Sequence, residues 1–168
     1  LTTFFQNMQK KLITFSFDEY ESIDELNDSD KRLLFHAREA TQSAYAPYSQ
    51  FKVGAAAKMT NGEVVKGSNQ ENASFPAGIC AERVLLSAAS SQFPGVPIDT
   101  IAISYLHHDP NHLYKPVAPC GICRQTMQEY EERFHHPIRL ILGGMSGKVC
   151  IVPQSNYLLP LSFGTGNL

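Results

Sequence analysis

The chain has 168 residues, of which 43% are hydrophobic and 18% charged, with ten Phe and seven Tyr; this is enough apolar material for one folded domain and excludes a disordered chain. Fourteen basic against sixteen acidic residues give a net charge of −2, and no Lys/Arg cluster could neutralise a run of phosphates, which argues against a nucleic-acid partner. No apolar run reaches the roughly 18 residues of a membrane span and no apolar leader opens the chain, so no membrane partner is expected and the expected location is the cytoplasm.

Residues 1–27 are rich in polar and acidic side chains (Asp18, Glu19, Glu21, Asp24, Glu25) and read as an N-terminal extension that packs weakly or against a partner. Residues 28–168 read as the folded domain. A helix is predicted from Asp28 or Ser29, either of which can cap it, with Leu33, Leu34, Ala37, Ala40 and Ala44 at helical spacing, and it must stop before Pro47. Two strands, 51–59 and 63–68, flank Thr60-Asn61-Gly62, and Asn-Gly between strand-like runs signals a hairpin. A helix over 79–91 ends before Phe93-Pro94-Gly95, a buried strand covers 100–106, a helix covers 121–134, and strands at 138–142 and 148–152 surround Gly143-Gly144. The order predicts a three-layer α/β/α sandwich with a mixed sheet of about five strands.

Cys80-Ala81-Glu82 and Pro119-Cys120-Gly121-Ile122-Cys123 fall at the starts of two of these helices. Three thiolates beside a carboxylate describe a zinc site of the open, catalytic kind, whose fourth position is left for water. Thiolates at helix N-termini are stabilised by unpaired N–H groups and the positive end of the macrodipole. Cys80, Cys120 and Cys123 are therefore the expected metal ligands for one Zn2+ per subunit. Glu82, on the same helical turn as Cys80, is the expected acid/base group, and Arg83 and Arg124 are the cations expected to offset the excess thiolate charge. Without a secretion signal, four cysteines read as thiols and ligands and not as disulfides.

From about Ser29 to Gly164 the chain resembles the cytidine deaminase family, in the all-cysteine variant of its zinc motif. The resemblance implies that fold, a homotetramer, and zinc-dependent hydrolysis of cytidine and 2'-deoxycytidine to uridine, 2'-deoxyuridine and ammonia in pyrimidine salvage. Tyr45-Ala46-Pro47-Tyr48-Ser49-Gln50-Phe51 is similar to the family's Tyr-x-Pro-Tyr-Ser-x-Phe element, which assigns Phe51 to the nucleoside. Asn69-Gln70-Glu71-Asn72 is similar to its Asn-x-Glu-Asn segment, which assigns Asn69 and Glu71 to the ribose hydroxyls. Leu158-Leu159-Pro160-Leu161-Ser162-Phe163-Gly164 resembles the tail of the tetrameric enzymes, where the phenylalanine reaches a neighbouring subunit's base, and this implies the same for Phe163.

Each reading has a plainer alternative. Phe51 and Phe163 taken alone read as packing, Asn69 as turn chemistry and Glu71 as a solvated carboxylate. His107, His108 and His112 lie in a polar stretch with Asp109-Pro110-Asn111 that reads as a solvated loop, and Cys150 reads as a core thiol. If Cys150 instead completed a four-cysteine site, the chain would be a zinc-stabilised binding module without catalysis. A deaminase of aminonucleoside antibiotics of the blasticidin S type is the rival within enzymes, and the match at residues 69–72 speaks against it.

Overall fold

The computed structural model describes residues 8–107, 109 and 114–167, and so leaves His108 and His112 of the histidine cluster outside the described residues. Three α-helices, α1 (Asp28–Ala40), α2 (Ala81–Gln92) and α3 (Gly121–Phe134), accompany strands β1 (Asp18–Tyr20), β2 (Lys52–Met59), β3 (Val64–Ser68), β4 (Ile98–Leu106), β5 (Arg139–Gly143) and β6 (Val149–Val152). They form one six-stranded mixed sheet in the order β1-β6-β5-β4-β2-β3. Among the strand pairs of the described residues β4–β5 is the parallel one, and α3 lies in the crossover between its two strands.

The sheet has one strand more than the sequence predicts. Asp18–Tyr20 pairs antiparallel with β6, setting Glu19 opposite Cys150, and Leu26 is buried in the core. An acidic edge strand shows no apolar alternation, because its stability comes from backbone pairing and from Lys148, whose ammonium lies against both Glu19 and Glu21.

The three layers follow from side-chain alternation. Ala56, Ala102, Ile141, Val149 and Ile151 pack under Leu33, Leu34 and Ala37 of α1. Their neighbours Ala55, Ala57, Ile101, Ile103, Leu140 and Leu142 point to the opposite face and bury Leu85 and Leu86 of α2 and Met127 of α3. Small alanines at the centre of β2 let helices approach closely on both sides.

Helix α1 is capped one residue before the predicted pair, by Asn27, whose Oδ1 accepts from the Asp30 N–H at 3.0 Å. Asp30 also accepts a bidentate pair from Arg139 at 2.8 and 2.7 Å, tying the start of α1 to β5. The hairpin turns at Gly62, with φ +91°. Helix α3 spans its predicted residues. Helix α2 begins at Ala81 and not at Ile79, because Ile79 and Gln70 exchange backbone hydrogen bonds at 2.9 and 3.0 Å that hold Ile79 extended.

Candidate metal centre

Two helices deliver the three cysteines. Cys80 and Cys120 are the extended residues that immediately precede α2 and α3, and Cys123 lies in the first turn of α3. Cys80 Sγ is 3.7 Å from Cys120 Sγ, and Cys120 Sγ is 3.4 Å from Cys123 Sγ. Tetrahedral coordination at about 2.3 Å sets ligand sulfurs about 3.8 Å apart, so the cluster has the spacing and the soft donors that suit zinc. Among the described residues this is the one group of three or more His, Cys, Asp or Glu side chains arranged to hold a metal ion.

Cys150 is elsewhere. Its thiol faces Glu19 across the β1–β6 pair at 3.9 Å, which leaves a three-sulfur set. A zinc-stabilised module closed by a fourth cysteine is therefore not what the fold builds.

The thiols share charge unevenly. The Cys80 thiol is lowered to about 6, chiefly by a hydrogen bond from Cys123, with help from Cys120 and from the charge of Arg83. Cys123 is pushed up, because it is the donor to Cys80 and is buried. A dication among the sulfurs would draw all three into the thiolate form. Glu82 is 5% exposed. Burial above all, and then the charge of Cys80, raises its carboxyl above the usual range, while its own backbone N–H and the Cys123 thiol partly counter this. A carboxyl so placed exchanges protons nearer neutrality than a solvated one.

The motifs assigned to the substrate converge on the Cys80 turn through backbone pairing. The 69–71 segment lies between two others: Tyr45 N–H donates to Asn69 O at 3.0 Å, Glu71 N–H to Tyr45 O at 2.8 Å, and Gln70 bonds both ways with Ile79. Asn69 Oδ1 accepts from Val53 N–H at 2.7 Å and its Nδ2 donates to Phe51 O at 2.9 Å, bracing the start of β2. Glu71 Oε2 accepts from the N–H groups of Tyr48 and Ser49 at 2.9 and 3.3 Å. The Ser49 hydroxyl, with these N–H groups, holds its carboxyl below the usual range. Phe51 stacks on Tyr105 with ring centroids 5.1 Å apart. Phe163 lies apart from that cluster, 59% exposed, beside Gly121, Ile122 and Gln125 at the start of α3.

Arg124 does more than its adjacency to Cys123 implies. Its Nε donates to Pro119 O and its Nη1 to Leu158 O, both at 2.8 Å, so it braces the turn before Cys120 against the C-terminal segment. Sequence reasoning missed this link, since no local pattern connects residues 34 positions apart.

A family model, the cytidine and deoxycytidylate deaminase zinc-binding region, matches residues 27–134. A cytidine deaminase of Halalkalibacterium halodurans is 38% identical over 80% of this chain and 94% of that protein. One from Mycobacterium tuberculosis is 37% identical over 62% of this chain and 75% of that protein. The crystal structure of cytidine deaminase from Burkholderia pseudomallei superposes with a TM-score of 0.69 at 37% identity, covering 82% of this chain and 100% of that one. That from Mycobacterium tuberculosis gives 0.63 at 30% identity, covering 82% and 98%. With a matching zinc-binding region, relatives of this identity over most of its length and three converging cysteines, the chain belongs to the cytidine deaminase family.

Proposed function

We propose that the chain hydrolyses cytidine and 2'-deoxycytidine to uridine, 2'-deoxyuridine and ammonia, with Cys80, Cys120 and Cys123 holding one Zn2+ per subunit. The observation that carries this reading is the three-sulfur cluster with the buried Glu82 carboxyl on the adjoining turn. Zinc, when bound, supplies the positive charge that acidifies a water.

Glu82 takes a proton from the attacking water as its oxygen adds to C4 of the cytosine, and passes it to N3. The carboxyl then carries a second proton, from the new C4 hydroxyl, to the exocyclic amine; the C4–N4 bond breaks, the hydroxyl oxygen becomes the C4 carbonyl and ammonia leaves. Arg83 offsets part of the thiolate charge, and Arg124 fixes the Pro119–Cys120 turn. Phe51 contacts the nucleoside, Asn69 and Glu71 engage the ribose hydroxyls with the capacity their backbone contacts leave, and Phe163 meets the base in a neighbouring subunit of a homotetramer. The residues assigned to the chemistry all lie within 28–168, while from the N-terminal extension Asp18–Tyr20 joins the same sheet and Leu26 its core, and four free thiols suit the reducing cytoplasm.

Ammonia release from cytidine, 2'-deoxycytidine, CMP and blasticidin S by the zinc-loaded protein tests the proposal. Turnover of the two nucleosides supports it, whereas turnover of blasticidin S alone, or of none, overturns it.

A further inference from the structure

The segment that carries Phe163 has little apolar burial to hold it. Leu161 is 93% exposed and adopts a left-handed φ of +57°, and Phe163 itself is 59% exposed. A segment with so few buried contacts would sample many orientations unless polar groups fixed its backbone.

Helix α3 supplies those groups from one stripe, since Gln125, Gln128 and Glu132 recur at the spacing that places side chains along one helix face. Gln125 Nε2 donates to the carbonyl of Phe163 at 2.8 Å. Glu132 Oε2 accepts from both the N–H and the hydroxyl of Thr165, at 2.8 and 3.0 Å. The other carboxylate oxygen accepts from Gln128 Nε2 at 2.8 Å, which turns Oε2 toward the tail. Gly164 sits between the two anchors, buried against Glu132, where a β-carbon would collide with the carboxylate. A closed turn, Gly164 N–H to Asn167 Oδ1 and Asn167 N–H to Gly164 O, both at 2.9 Å, follows it.

We infer that Glu132 and Gln125 are positioning residues that fasten residues 163–165 along α3 and so hold the Phe163 ring in the orientation that meets the nucleoside. This rests on the reading of Phe163 given above. The Thr165 N–H, the Gln128 amide and the Thr165 hydroxyl favour the ionised carboxylate and hold Glu132 below the usual carboxylate range. Because α3 begins just after Cys120 and carries Cys123, the same helix that positions these cysteines sets the place of the tail ring as well.

Steady-state kinetics with cytidine on zinc-loaded Glu132→Ala, Phe163→Ala and the double variant test the inference, together with hydrogen exchange at the Thr165 amide. Glu132→Ala is expected to raise KM about tenfold, with kcat within about twofold of the unmutated protein, and to speed Thr165 exchange. Glu132→Gln keeps an acceptor for Thr165 and is expected to recover most of the lost affinity. The double variant is expected to be no worse than Phe163→Ala, since the clasp acts only through that ring. An unchanged KM in Glu132→Ala beside a raised KM in Phe163→Ala overturns the clasp, and so do additive effects in the double variant. An unchanged KM in Phe163→Ala overturns the Phe163 contact itself and the inference with it.

Discussion

Gly67 and Ala81 meet backbone to backbone: a β-carbon on Gly67 would lie 2.5 Å from the Ala81 carbonyl oxygen and 2.6 Å from the Leu85 nitrogen. Helix α2 therefore rests directly on β3, and the turn that carries Cys80 and Glu82 is set by the sheet. Gly67→Ala must push the first turn of α2 outward, since only backbone lies in the way. We predict a loss of about 3 kcal/mol in unfolding free energy and a fall in zinc retained after dialysis, measured by denaturant titration and elemental analysis. Unchanged stability with full zinc content would show that α2 can shift without cost.

Zinc removal should act on stability as well as activity. The sulfurs are 3.4–3.7 Å apart, and a cation that binds the folded cluster and not the open chain stabilises the fold by about 4 kcal/mol at a thousand times its dissociation constant. Chelation is expected to lower the thermal midpoint by about 10 °C, recovered when Zn2+ is restored. A midpoint indifferent to zinc content, followed by calorimetry, would contradict a metal held by Cys80, Cys120 and Cys123.

The Glu71 tether predicts a pH dependence of definite sign. Its carboxyl is held below the usual range by the Ser49 hydroxyl and the Tyr48 and Ser49 N–H groups, so the contribution is present above the ordinary carboxylate value and is lost as pH falls through the depressed one. Urea midpoints of the unmutated protein and Glu71→Gln should differ at pH 7 and converge on acidification below about pH 4. A difference that persists or grows at low pH would mean that the tether does not depend on the ionised carboxylate.

Much of this architecture can be read in the chain because its signals are local. Asn61-Gly62 between two strand-like runs marks the hairpin, and the helical spacing of Leu33, Leu34 and Ala37 marks α1. The cysteines and Glu82 are legible for the same reason, since a metal site built on helix starts keeps its ligands in short motifs. What stays hidden depends on partners far along the chain. Asp18–Tyr20 has no apolar pattern and becomes a strand only against β6. The resemblance of residues 69–72 to the family's segment marks Asn69 and Glu71, but their bonds to the backbone at Phe51, Val53, Tyr48 and Ser49 emerge only when three segments come together. The Arg124 brace and the Glu132 clasp join α3 to a tail more than 30 residues away, beyond the reach of any periodicity.

Glu82→Gln tests most directly whether Glu82 carries protons beside a metal held by three sulfurs. Glutamine keeps the shape of the buried side chain but cannot take up a proton from water. Zinc content and ammonia release from cytidine should be measured on the same sample. About one Zn2+ per chain and a fall in kcat of roughly a thousandfold or more are expected. Zinc-replete Glu82→Gln turning over within about tenfold of the unmutated protein would contradict that role.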